Sequence, residues 1–288
     1  RGWFDAGDFG QYVTNAAPVW YLLGAAMDLA PQRFGDGDLN IPESGNGIPD
    51  LLDELEWGLD WLLAMQDQAD GGVYWRLASA TWDDVPPHRI GQPRLIAEKT
   101  TPATAAFVAA GAIHARLLRP WRPERAAQVL QAARAAWEFL DRHPQWPPEG
   151  QTYHNPKGIR AGEYPDPSAL DARLWAAAEL YRTTGESRYR TAYEELAAKV
   201  KVDPTGNVSF KDQGLAAYWA YLMAPWPDRE PSLVAQARSA LLAGADWRVR
   251  RIQEHPFLAP VHPFIGWVGW GSFAHSSRAT LASTSPKV

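Results

Sequence analysis

At 288 residues, 46% hydrophobic and 21% charged, the chain has the composition of an ordinary globular protein with enough apolar material for one large core. A formal net charge of -5 argues against a nucleic-acid partner, which needs clustered Lys and Arg. The absence of cysteine excludes disulfides and thiolate metal sites, and no apolar run approaches the ~20 residues of a membrane span.

In chain order, the first informative element is Gly2-Trp3-Phe4-Asp5-Ala6-Gly7-Asp8-Phe9-Gly10-Gln11-Tyr12-Val13. Two carboxylates lie three residues apart, and Gly7 between them permits a tight turn, so both can point into one cavity. Their aromatic flanks, Tyr12 included, are surfaces on which a pyranose ring stacks. A lone Asp-x-x-Asp is usually a turn or a cap. An acid pair set among aromatics fits a different task, activation of a water on the face of a sugar opposite its leaving group.

Strand signals are nearly absent. Helices are predicted at about 16–30, 49–66, 102–118, 123–142, 168–184, 187–200, 213–223 and 231–252. The second opens with Pro49 and the acids Asp50, Asp53 and Glu54 at its positive end, and Leu51, Leu52, Leu55, Leu59, Leu62 and Leu63 form its apolar stripe. Before it, Asp36, Asp38 and Asn40 are spaced like the oxygen ligands of a calcium loop, with Glu43 nearby. Ile41 and Gly47 break the full EF-hand pattern, so a calcium loop and a solvated Asp/Gly turn both fit.

Alanine-rich runs at 103–115 and 172–178 suit close helix contacts. Ser168 with Asp171 reads as a capping-box-like start, Gly185 as a stop and Ser187 as the next N-cap. Long loops at 67–100, 143–167 and 253–270 are of a length that is usually functional. Helical hairpins with long loops on one face describe an all-α, α/α barrel; a two-helix solenoid would show a fixed period, which is lacking. No linker divides residues 1–288, which read as one domain. The seven His are scattered, with surface or loop roles expected, and the short basic run at Arg248, Arg250 and Arg251 reads as a solvated helix end.

The opening string resembles the catalytic-base motif of glycoside hydrolase family 9, the cellulase family that inverts β-glucosidic bonds. The resemblance continues through the stretch from Leu39 to Glu54, Gly71-Gly72-Val73-Tyr74, Lys99-Thr100-Thr101, Gly162-Glu163-Tyr164, the stretch from Asp171 to Tyr181, and Trp270-Gly271-Ser272. It implies an (α/α)6 barrel of twelve helices, incomplete at both ends in this chain. It makes Asp8 the general base for cleavage of β-1,4-glucosidic bonds in a β-glucan or cello-oligosaccharide, and Asp5 the partner that helps hold the attacking water. It assigns cleft roles to Trp270, Trp75, Trp82, Tyr12 and Phe210; Trp75 stands where relatives often carry His.

No cofactor is required for the chemistry, and structural calcium at Asp36, Asp38, Asn40 and Glu43 is compatible with the family. A second calcium site at Asp171 is disfavoured by Ala172, which occupies a position commonly filled by Glu. The family's general acid is a Glu downstream of the Trp-Gly-Ser motif, after a His-Arg pair, and is expected outside this chain. Secretion is implied by the resemblance, although the chain carries no signal peptide. An exo-acting glucosidase or glucosaminidase, a non-catalytic glycan-binding barrel and an inactive truncated remnant are the alternatives. Residues 1–288 alone, with eight or nine helices, are expected to expose inner barrel faces, associate and hydrolyse no β-glucan.

Overall fold

Alanine decides which helices lie inside. In the computed structural model, which describes residues 1–5, 9–82, 85–145, 147–148, 153–155, 157–160 and 162–254, eight α-helices form four hairpins. They are α1 (Val13–Leu29), α2 (Asp50–Ala64), α3 (Thr101–Leu118), α4 (Pro123–Arg142), α5 (Leu170–Thr184), α6 (Ser187–Ala197), α7 (Gly214–Leu222) and α8 (Pro231–Glu254). The odd-numbered helices pack side by side in the order α1, α3, α5, α7; α4, α6 and α8 each back their predecessor, and α2 backs both α1 and α3. The result is a two-layered arc of an α/α barrel.

Helix α3 is buried on almost every side, from Thr101 through Ala115, and its small side chains suit close packing of neighbouring helices. Outer α4 buries only one face, through Ala126, Val129, Ala133, Ala136, Trp137, Phe139 and Leu140. The inner helices run in one direction. At one end, the N-terminal residues of α1 and α3 share the 73–76 segment: Val13 donates its amide to the Trp75 carbonyl at 3.0 Å, and Thr100 donates to that of Val73 at 3.2 Å. At the other end, Arg116 of α3 and Arg182 of α5 both reach Asp28 of α1.

Helix ends follow local chemistry. Thr100 caps α3, its hydroxyl accepting the Ala103 amide at 3.3 Å. Gly185 ends α5 in the left-handed region, φ 74°, with its amide donated to the Tyr181 carbonyl. Two expected caps shift by a residue: Ala169 and Glu186, not Ser168 and Ser187, occupy the N-cap positions of α5 and α6. Ser168 does not build a capping box; its Oγ accepts only from Leu170, at 3.4 Å. His114 also departs from expectation, since it is fully buried in α3 and bonded to Glu56 at 2.6 Å.

The stretch 67–100, expected as loop, contains two strands. β1 (Gln11–Tyr12), β2 (Arg76–Ser79) and β3 (Arg94–Ile96) form an antiparallel sheet with Tyr12 opposite Arg76 and Ser79 opposite Arg94. Strands of two to four residues are too short to show a period of two in sequence. Their pairing feeds the chain directly into α1, which therefore starts earlier than the sequence suggests. No helix among the described residues is long and apolar enough to cross a membrane.

Candidate active site

Parallel inner helices gather their N-termini, and so their positive dipole ends, at one end of the arc. The acid-bearing segment lies there. The Asp5 amide donates to the Gly10 carbonyl at 2.8 Å, drawing the two ends of the segment together. Phe4 and Phe9 pack edge to face at 5.5 Å. Phe9 sits in the left-handed region at φ 54°, a strained conformation for a bulky residue that persists only when its surroundings hold it. A side chain at Gly10 would run into the Tyr12 ring at 2.5–2.7 Å, so glycine is required there.

Both oxygens of Asp5 are held. Asn15, in the first turn of α1, donates Nδ2 to Oδ1 at 2.9 Å, and Thr14 fixes that amide by donating to its Oδ1 at 3.3 Å. The Tyr164 hydroxyl donates to Oδ2 at 2.5 Å. Two neutral donors, an amide and a phenol, aim the carboxylate. Tyr164 in turn packs edge-on against Tyr12 at 4.7 Å and Phe210 at 5.1 Å. The structure thus joins Asp5, Tyr164 and Phe210 in one contiguous site, while Asp8 and Trp270 lie outside the described residues.

Of the other expected cleft aromatics, Trp82 is 58% exposed. Trp75 and Tyr12 are corrected. They are 0% and 1% exposed, and the Trp75 ring packs against Tyr12 at 6.0 Å and Tyr153 at 4.6 Å. The sheet turns these rings inward onto the helices, so neither offers a face to a sugar; they support the floor of the site.

Neighbouring polar residues that sequence reasoning missed complete that floor. Buried Arg76 donates to the Asn155 side chain and to the Gly162 carbonyl, tying the 153–164 segment to the sheet, and burial holds its pKa below the usual value. The Tyr153 hydroxyl donates to the Tyr164 carbonyl. Behind them lie two acids. Burial, followed by the charge of Asp171, pushes Asp166 up to about 7; burial likewise pushes Asp171 up to about 6, although it accepts the Gln213 amide at 2.7 Å. Asn15 was findable as the residue of the first helical turn nearest the motif. Arg76 carried no signal of its own.

The aspartates expected to hold calcium accept backbone amides. Asp36 accepts the amides of Gly45 and Gly47, Asp38 accepts that of Gly35, and Asn40 and Glu43 are exposed. Asp50 takes the amides of Gly37 and Leu39 and the Ser44 hydroxyl, and these bonds, Gly37 foremost, hold its pKa below the usual range against the effect of burial. Among the described residues no group of three or more acids or histidines could hold a metal ion. The spacing that resembles a calcium loop here serves backbone amides.

An α/α barrel with an aimed carboxylate and aromatic rings at the N-terminal end of its inner layer has the architecture of a glycoside hydrolase. Residues 1–256 match the model of Glycosyl hydrolase family 9, and the chain belongs to that family. It is 34% identical over 263 residues to Endoglucanase D of Acetivibrio thermocellus, across 89% of this chain and 41% of that protein. A crystal structure of a metagenome-derived glycoside hydrolase family 9 endoglucanase superposes with a TM-score of 0.87 at 33% identity, covering 98% of this chain and 50% of the other. AaCel9A in complex with cellobiose-like isofagomine gives 0.83 at 28% identity, covering 98% and 53%. The chain therefore spans about two fifths to one half of the length of these relatives.

Proposed function

We propose that this chain supplies the base-bearing part of an inverting β-1,4-glucanase, with Asp8 as general base and Asp5 as the partner that holds the water. The observation that carries the reading is the double anchoring of Asp5 by Asn15 and Tyr164 beside the half-buried Phe210 ring. A carboxylate aimed in this way is suited to accept a hydrogen from the attacking water. In the reaction, that water attacks the anomeric carbon as its proton passes to Asp8. The bond to the leaving oxygen breaks with inversion, and a separate general acid protonates that oxygen. That acid is expected outside residues 1–288.

The printed name of the Acetivibrio relative and the cellobiose-like ligand of AaCel9A support a cello-oligosaccharide or β-glucan substrate. No cofactor enters the chemistry, and a polymeric substrate places the protein outside the cell. In the intact gene product, Asp8→Asn should lower turnover of a soluble cellulosic substrate by at least about 10²–10⁴-fold, the usual range for lost acid–base help, and the first sugar released by the wild type should be the α anomer. A correctly folded Asp8→Asn that keeps turnover within about threefold of wild type removes Asp8 from the mechanism.

A further inference from the structure

We infer that Arg94 is a positioning residue for the reaction: its guanidinium clamps the two ends of the acid-bearing segment. The inference rests on the glycosidase reading above. Arg94 opens β3, and β2 separates it from β1 in the sheet. Its Nη2 donates to the Phe9 carbonyl at 3.1 Å and to the Leu77 carbonyl at 2.9 Å, and its Nη1 donates to Gln11 Oε1 at 3.0 Å. The guanidinium carbon lies 5.6 Å from the centre of the Phe4 ring, within cation–π range. Phe4 precedes Asp5 and Phe9 follows Asp8, so one side chain touches the chain on both sides of the acid pair.

The contacts fall where the backbone needs them. Phe9 is held at φ 54°, and a φ of that sign in a bulky residue relaxes unless its neighbours prevent it. Arg94 fixes the Phe9 carbonyl from the sheet side, while the Asp5 amide fixes that of Gly10. Releasing the Phe9 carbonyl frees that residue to rotate and loosens the closure between residues 5 and 10. Asp5 keeps its own side-chain anchors, so the loss should appear as misaimed acids and not as lost sugar affinity. Only a planar fork serves three oxygens arranged in this way while lying over an aromatic ring; a lysine ammonium does not replace it.

The test uses the intact gene product, Arg94→Lys and Arg94→Met, with cellohexaose as substrate. Because small displacements at a reacting centre can cost 10²-fold, kcat should fall by about 10- to 100-fold in both variants. KM should stay within about threefold, as expected for an interaction made in the transition state alone. Amide hydrogen exchange at Asp5 should accelerate by about tenfold or more, with α3 amides unchanged. A kcat within about twofold of wild type in Arg94→Lys overturns the inference. If the wild type hydrolyses no β-glucan, the glycosidase reading fails by itself, and unchanged Asp5 exchange then overturns the clamp separately. Should Arg94→Met not fold, Gln11→Leu removes one tie of the clamp, and an unaltered kcat there also overturns it.

Discussion

Asp5 and Asp28, at opposite ends of the inner helix layer, are held by different kinds of donor. At the N-terminal end, Asp5 is bonded by an amide and a phenol, and Asp171 by a backbone amide. At the C-terminal end, Asp28 is bonded by Arg116 at 3.1 Å and Arg182 at 2.8 Å, and Glu179 lies 3.5 Å from Arg116, all among Trp20, Tyr21 and Trp219. Helix dipoles explain the division. Positive N-termini favour acids, whereas negative C-termini favour guanidiniums. The donors described for Asp5 and Asp171 are neutral, whereas two arginines neutralise Asp28 and hold α1, α3 and α5 together.

The largest effect expected from this contrast is at the structural end. Arg182→Met leaves Asp28 with one arginine in a buried cluster, where breaking an ion pair costs about 3–5 kcal/mol. Denaturant unfolding should show that loss while kcat stays within about threefold of wild type. A large loss of kcat with unchanged stability would break the division between the two ends.

Next in size is Tyr164→Phe at the other end. It removes one donor from Asp5 and leaves the ring packed between Tyr12 and Phe210. Loss of one aimed donor is worth about 10²–10³-fold in the best-studied sites; because Asn15 still holds Asp5, a fall in kcat of about 10- to 100-fold is expected. Stability should change by less than about 1 kcal/mol. Steady-state kinetics beside thermal unfolding checks both halves, and a variant with unaltered kcat would make Tyr164 a packing residue only.

The helices were legible because the outer ones have a periodic apolar face, as in α4, and the inner ones Ala-rich runs with punctuating Pro, Thr or Gly, as at Thr100 and Gly185. The sheet was not, since β1 spans two residues. Residue type singled out Asp5 as a candidate, but it could not distinguish a ring open to the cleft from one that meets core. Trp75 and Tyr12 fell on the wrong side because their burial is set by a strand pairing between residues 12 and 76. Arg94 was invisible for the same reason, as its role exists only once β3 lies beside β2. The Asp36–Asn40 spacing shows the converse limit, since one arrangement of acids suits either a cation or a row of amides.

The smallest effect tests whether the acids behind the site are under electrostatic strain. Asp166 is buried, accepts the Ser168 amide at 3.2 Å, and has its pKa raised to about 7 by burial and by Asp171. An acid whose pKa is higher in the folded than in the unfolded state binds its proton more tightly when folded. Its stabilising contribution is complete below the unfolded value near 4 and is lost as pH rises through about 7. Asp166→Asn retains an oxygen for the Ser168 amide and has no proton to lose. The variant should therefore match the wild type within about 0.5 kcal/mol at about pH 3.5 and exceed it by about 1 kcal/mol or more at about pH 8. Paired urea titrations at the two pH values measure the difference directly. Equal gaps at both would show that Asp166 stays ionised throughout, and the acids behind the site would then be as well compensated as Asp28 is by its two arginines.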